Sequence, residues 1–241
     1  MVVPILSLNE ITAAAGRGEF DFLLTNPSSY VEIEELHKAK ILATLNNRRA
    51  NSAQSRFGTV IFTHARNKNI YELNDLKGRA LMAVAEPAFG GWRVAWYEMK
   101  KNGIDPYSDL KTLVFAENNT QPEVVYAVRD QQVDVGVVRT DQLERMEADG
   151  KIDMRYFRIL NNKNEKGFPF FLSTSLYPEW AFAALKDTDG ELAQDVKRVL
   201  TSIEKNSAAA MAGRYVGWIE PLDYSSVREL MKDLEVGPYA K

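Results

Sequence analysis

From Val2 to about Tyr177 the chain repeats one alternation, and no other feature narrows its fold so far. Short, nearly unbroken apolar runs of strand length are followed by longer amphipathic stretches. The runs are VVPILSL, FDFLLT, ILATL, GTVIFTH, ALMAVAE, LKTLVFA, VDVGVVR, FRIL and PFFLSTS. The intervening stretches at 8–16, 29–37, 91–101, 121–129 and 141–148 have helical spacing. Strands without a polar face are strands covered on both faces, so the pattern predicts α/β layering around parallel sheets. After Tyr177 the rhythm changes. The segments 179–185, 191–204, 207–215 and 224–234 all read as helices, and such a tail must pack on an earlier layer.

Composition removes several function classes. Of 241 residues, 45% are apolar and 26% charged, the balance of a globular protein with enough length for one large core or two small ones. The net charge is −3 and Lys and Arg are scattered, so the basic footprint of a nucleic-acid binder is missing. No apolar run approaches the roughly 18 residues of a membrane span. The opening MVVPILSL is shorter than a secretory core and has no basic segment before it. The chain as given is expected to be soluble, with a leader or anchor in a longer parent left open. There is no cysteine, which excludes disulfide and thiolate chemistry and suits a reducing cytosol and a bacterial periplasm equally.

One internal echo stands out. GRGEFDFLLTNPSSY and RDQQVDVGVVRTDQL share a helix end, a turn, an Asp opening an apolar strand, and a polar cap on the next helix. Generic βα units explain it, and so do two similar α/β lobes.

In open parallel sheets, ligands bind beyond the carboxyl ends of strands, where helix N-termini present N–H groups and a positive dipole end. Four junctions qualify. In TNPSSY, Asn26, Ser28 or Ser29 caps the next helix and Pro27 suits its first turn, which by itself accounts for the composition. Tyr30 adds a ring and a phenol for a pocket. In AEPAFGGWRVAW, Gly90 and Gly91 permit close backbone approach to an anion, and Phe89 and Trp92 are expected as exposed rings beside them. A tight turn is the plainer reading. The motif is neither a P-loop nor a dinucleotide fingerprint. In ENNTQPEVV, Thr120 and Glu123 have capping-box spacing, a structural role. In VVRTDQLERM, Arg139 offers a planar set of donors to an oxyanion, or an ion pair to Asp141 or Glu144, and Thr140 takes the N-cap position.

Catalytic constellations are scarce. His37 and His64 have no metal-ligand spacing, and hydrolase, zincin and kinase signatures are absent. No metal and no cofactor is expected. Donors, rings and helix ends without a nucleophile–base pair describe a receptor.

The ordered series DFLLTNPSSYVEIE, ATLNNRR, FGTVIFTHA, DLKGRALMAVAEPAFGGWRVAW, VDVGVVRTDQLERM and GFPFFLSTSLYPEWAFAAL resembles the phosphate/phosphonate-binding branch of the type II periplasmic binding proteins. More narrowly it is similar to the version fused ahead of sensor histidine kinases, as in tetrathionate sensors. The closing YVGWIEPLDYSSVRELMKDLEVGPY carries that narrower match. Nearly the whole chain is covered. The resemblance implies two α/β lobes joined by two crossing strands, residues 1–63 with 175–241 and residues 64–174. The crossings would lie near Phe62–His64 and Leu172–Thr174, with the helical tail on lobe one. The family's first β-α unit, ahead of VVPILSL, is expected to be absent.

It further implies an extracytoplasmic sensor domain of a two-component kinase, anchored in the inner membrane through its parent and holding a small anion between the lobes. The expected ligand residues are Asn26, Ser28, Ser29 and Tyr30 from lobe one, and Phe89, Gly90, Gly91, Trp92, Arg139 and Thr140 from lobe two. Thr63 and Ser173 would sit near the crossings. A homodimer of the parent is a further expectation, and nucleic acid is not a partner. The alternative is the binding protein of an ABC importer for phosphonate or a related oxyanion. An α/β transferase is a third reading, disfavoured by the missing catalytic pairs.

Overall fold

The computed structural model describes residues 7, 8, 10–50 and 52–241. The expected strand VVPILSL therefore lies almost wholly outside the described residues. The chain divides into two compact units, residues 1–56 with 177–241 and residues 57–176. It passes from the first to the second between Arg56 and Phe57 and returns between Leu176 and Tyr177. Two-residue strands β4 (Arg56–Phe57) and β10 (Tyr177–Pro178) mark those passages. Phe62, Thr63 and His64 lie beyond the outward passage, and Leu172 to Thr174 lie before the return.

In the second unit five strands run in the order β7 (Thr112–Phe115), β6 (Ala80–Ala83), β8 (Val135–Arg139), β5 (Thr59–His64), β9 (Phe157–Leu160). Only the β6–β7 and β6–β8 pairs are parallel; β5 runs antiparallel to both β8 and β9. Helices cover both faces, as the unbroken apolar runs require. Ile61 of β5 joins Leu81, Val135 and Val137 beneath α3 (Val94–Lys101), with Trp92, Ala95 and Met99. Its neighbours Val60 and Phe62 point the other way, to Val124, Val125 and Val128 of α4 (Gln121–Arg129) and Leu143 and Met146 of α5 (Gln142–Ala148).

PFFLSTS does not form the expected strand. One backbone bond ties it to β5, Ser173 N to Thr59 O at 2.9 Å, and its hydroxyls supply the rest: Ser173 Oγ accepts from Ile61 N at 2.9 Å and donates to Leu160 O at 2.7 Å, and Thr174 Oγ1 accepts from Thr59 N at 3.1 Å.

The first unit is a sheet of order β1 (Phe22–Thr25), β11 (Ala181–Ala184), β2 (Lys40–Arg49), β12 (Tyr215–Ile219), with β3 (Ser52–Gln54) folded back on β2. Among the described residues every pair here is antiparallel, against the parallel expectation, because β11 enters between β1 and β2 from the far end of the chain. The helices α1 (Ile11–Gly16), α2 (Pro27–His37), α6 (Gly190–Thr201), α7 (Ala208–Gly213) and α8 (Ser225–Leu234) complete the unit. The C-terminal tail does pack here: α6 lies on β2 and β12, and α8 on α2.

The tail is not wholly helical. The segment 179–185, rich in alanine, holds β11, and the helix expected over 207–215 ends at Gly213 before β12. Alanine favours helix in isolation, but fully buried Ala181 and Ala183 lie on a strand that pairs with β1 on one edge and β2 on the other, and pairing overrides propensity.

Candidate functional site

The first unit's junction is a closed helix cap. β1 ends at Thr25; Asn26 is extended (φ −66, ψ 160) and Pro27 opens α2. Asn26 Oδ1 accepts from Ser28 N at 2.9 Å, Ser29 N at 3.1 Å and Ser28 Oγ at 2.9 Å, and its Nδ2 donates to Ser29 Oγ at 3.1 Å. The cap thus uses both polar atoms of Asn26 and two orphan N–H groups of the helix. Two hydroxyl protons remain. Thr25 Oγ1 is buried without a hydrogen-bond partner among the described residues, and Ser29 gives its own proton to none of them.

Tyr30 faces inward. Its phenol donates to Glu34 Oε1 at 2.6 Å, Glu34 is held by Arg228 of α8, and the ring lies edge-on to Tyr224 at 5.1 Å. Burial and the neighbouring carboxylate push the phenol far above its ordinary pKa. It remains protonated and donates.

In the second unit, the start of the helix after β6 and the end of β8 meet. A π-helical turn, Phe89–Arg93, leads into α3. Phe89 and Trp92 are fully buried, which corrects the expectation of exposed rings; Trp92 packs into an aromatic cluster with Trp96, Tyr107 and Phe115. The glycines permit close packing of side chains. A Cβ at Gly90 would stand 2.5 Å from Phe57 Cε2, and one at Gly91 would stand 2.7 Å from Val84 Cγ2. Gly90 O accepts from Thr59 Oγ1 at 2.8 Å.

Arg139 closes β8. Its guanidinium lies 4.1 Å over the Phe57 ring, its Nε is 3.9 Å from Asp141 Oδ1, and its backbone N donates to Gln121 Oε1 at 2.8 Å. The expected partner Glu144 instead accepts from Phe171 N at 2.6 Å, and burial raises its carboxyl above the ordinary range. Thr140 is not the N-cap. Asp141 takes that place with φ +75, while Thr140 Oγ1 accepts from Gly58 N at 3.2 Å.

Thr63 and Ser173 are not brought to these groups. Thr63 pairs with Val135, at the opposite end of β8 from Arg139, about 13 Å away by strand rise, and donates to Asp134 O at 2.7 Å. Ser173 is spent on the sheet. The capping box does not form at Thr120, because Glu123 reaches back to Glu117 N and Asn118 N. His64 Nδ1 accepts from Arg66 N, and burial and Arg66 lower its pKa. Among the described residues no group of three or more His, Cys, Asp or Glu could hold a metal, and no helix is long and apolar enough to cross a membrane.

Sequence reasoning missed Thr25, Phe57 and Gln121. Thr25 was hinted at by its place as the last residue of an apolar strand. Phe57 and Gln121 gave no local signal, being distant in sequence from Arg139.

Two α/β units built from a chain that leaves the first and returns to it define the periplasmic substrate-binding class. The chain superposes on PhnD1 from Prochlorococcus marinus in complex with methylphosphonate with a TM-score of 0.73 and 13% identity, over 97% of this chain and 85% of that one. With XAC2383 from Xanthomonas citri bound to ATP the TM-score is 0.71 and the identity 19%, over 96% and 82%. The chain belongs to the family described as ABC transporter, phosphonate, periplasmic substrate-binding protein, whose model matches residues 2–227. It is also 30% identical over 236 residues to the tetrathionate sensor histidine kinase TtrS of Salmonella typhimurium, a match covering 97% of this chain and 38% of that protein. The chain thus spans well under half the length of that relative. The periplasmic-binding-protein fold expected from the ordered motifs is the fold observed.

Proposed function

We propose that the chain is the extracytoplasmic ligand-binding domain of a two-component sensor histidine kinase in the inner membrane, and that its ligand is a small oxyanion. The observation that carries this reading is the 30% identity to a tetrathionate sensor kinase across 97% of the chain, which includes the closing segment. Each unit brings donors to the task. The first offers the hydroxyl protons of Thr25 and Ser29, with Asn26, Ser28 and Tyr30 shaping the wall. The second offers the Arg139 guanidinium and the Thr140 hydroxyl, at the turn formed by Phe89, Gly90, Gly91 and Trp92. Hydroxyls and a guanidinium suit phosphorus and sulfur oxyanions, whose charge is spread over several acceptors. Signalling then requires only that the anion bind one conformation of the domain better than another, since that difference in affinity biases whatever is attached.

The test is a thermal-shift and calorimetric series with tetrathionate, methylphosphonate, phosphate and sulfate. A ligand that binds only the native state raises the unfolding temperature. At least one of these anions is expected to do so, and Arg139→Ala to weaken it. An unfolding temperature unmoved by all of them sinks the reading.

The family match supports a second reading, the binding protein of an ABC importer for phosphonate or a related oxyanion. A reading frame that runs on into a kinase region favours the sensor, and a neighbouring permease gene favours the importer.

A further inference from the structure

We infer that the second unit carries a further ligand site, at the end of its sheet opposite Arg139, suited to a phosphate ester of a small polyol. The inference is independent of the oxyanion reading above, which concerns the other end of the sheet.

A cavity of about 450 Å³ opens where β5 ends, lined by His64, Arg66, Asn67, Lys68, Asn69 and Gln131, with Asp134 as its one carboxylate. That volume suits a small organic molecule. Because β5 pairs Thr59 with Arg139, His64 stands about 16 Å of strand rise from the Arg139 end.

The loop after β5 is fixed by Arg158 of β9. Its Nη1 donates to Asn67 O at 2.7 Å and Ile70 O at 2.9 Å, its Nη2 donates to Ala65 O at 3.0 Å, and its guanidinium lies 4.2 Å over the Tyr71 ring. Asn67 N donates to His64 O at 2.9 Å, and Asn69 N to Asn67 Oδ1 at 3.2 Å. The loop is therefore ordered before any ligand arrives. Its carbonyls turn to Arg158, and donors are what it leaves for the cavity.

Arg66 and Lys68 are exposed, and among the described residues neither side chain has an ion pair or a hydrogen bond. The Arg66 charge reaches the His64 ring. His64 Nδ1 accepts from Arg66 N at 3.1 Å, so in the neutral ring Nε2 carries the proton and is a donor. Asp134 Oδ2 is engaged by Ala80 N at 2.9 Å. The lining thus sets two cations against one committed carboxylate. Like charges two positions apart on an ordered loop repel each other, and a dianionic phosphate offsets both. The carboxamides of Asn67, Asn69 and Gln131 are neutral and suit hydroxyl groups, and a bare oxyanion leaves most of the cavity unfilled.

The experiment follows the histidine ring signals of the whole chain by NMR. The chain has two histidines, and His37 lies in the first unit, so each titration carries its own control. Glycerol 3-phosphate at low salt should move the His64 signals along a saturable curve and leave those of His37 in place. It should do the same in Arg139→Ala, and glycerol alone should move neither histidine. Arg66→Gln and Lys68→Gln should each weaken the ester about fivefold, the size of one charge contact at an exposed site. Inorganic phosphate should bind more weakly than the ester. Vesicles distinguish the source of the ester. Sedimentation with phosphatidylglycerol but not phosphatidylcholine, lost when both cations are replaced, places it on a membrane lipid; a response to glycerol 3-phosphate alone places it in solution.

His64 signals unmoved by glycerol 3-phosphate, with no sedimentation on phosphatidylglycerol, overturn the inference. So does a response that survives replacement of both Arg66 and Lys68. Inorganic phosphate binding as tightly as the ester overturns the polyol assignment. A His64 response abolished by Arg139→Ala puts the ester at the other end of the sheet, which overturns the inference and leaves the oxyanion reading standing.

Discussion

Ser173 and Ile61 are joined by a hydrogen bond that belongs to no strand ladder: the serine hydroxyl accepts the isoleucine N–H at 2.9 Å and passes its own proton to Leu160 O at 2.7 Å. The bond lies in the centre of the second unit, where all three residues are buried. Ser173→Ala strands a buried donor and a buried acceptor, so a loss of about 1–3 kcal/mol is expected in urea unfolding. Anion affinity measured well below the midpoint should be unchanged, because Ser173 is committed to the sheet.

Asn26 lets capping be separated from ligand binding. Aspartate caps a helix about as well as asparagine, so Asn26→Asp should hold stability within about 0.5 kcal/mol. It loses the Nδ2 donor to Ser29, draws the Ser29 proton to itself, and places a negative charge at the first unit's donor set. Oxyanion affinity should fall about tenfold or more. Calorimetry that shows equal affinity would remove the α2 start from the site.

Tyr30 gives a test with the opposite emphasis. Its phenol is engaged with Glu34 inside the α2–α8 contact, so Tyr30→Phe should cost about 1–2 kcal/mol of stability. Affinity should change less than about twofold, the ring being the only part left to shape a wall. A large drop in affinity with unchanged stability would show that the hydroxyl serves the ligand.

Two buried carboxyls in the second unit should titrate with opposite sign. At Glu98, burial pushes the pKa up, but hydrogen bonds from Lys163 and Lys101 and the charges of those lysines outweigh it and hold the pKa below the ordinary value. Its folded form binds the proton less tightly than its unfolded form. Its contribution to stability is therefore present above the ordinary glutamate pKa and is lost as pH falls through the lower, folded value. At Glu144, burial raises the pKa, with Asp141 and Glu147 adding to it. The protonated form is favoured in the fold, so stability is greater at low pH and is lost as pH rises from the ordinary value through the raised one. Unfolding of Glu98→Gln and Glu144→Gln between pH 3 and 8, compared with the wild type, should show the Glu98 difference shrinking on acidification and the Glu144 difference growing on alkalinisation. Parallel curves for both variants would refute the assignment.

The sequence by itself determined the layering and the junctions. Continuous apolar runs such as TVIFTH can be buried only between two layers, and β5 sends Val60 and Phe62 to one and Ile61 to the other. Local chemistry likewise set the α2 cap, because Asn26 needs only the next three residues to complete it. The echo between GRGEFDFLLTNPSSY and RDQQVDVGVVRTDQL was visible for the same reason: a turn, an apolar strand and the start of the next helix are short-range patterns.

Tertiary structure decided what depends on partners far along the chain. EWAFAAL has helical composition but becomes β11, since the place between β1 and β2 exists only once strands well over a hundred positions earlier in the chain have folded. Ser173 and Thr174 follow an extended apolar run, yet only the Ser173 N–H bonds to β5 through the main chain, at Thr59 O, and the N–H groups of Thr59 and Ile61 go to the two hydroxyls. Arg139 could be picked out as a cation at a strand end, but not the Phe57 ring beneath it, the Gln121 amide on its backbone or the buried Phe89 beside them. Local periodicity specifies which face of an element is apolar; which distant side chain meets that face is decided only when the core closes and each buried polar group must find a partner.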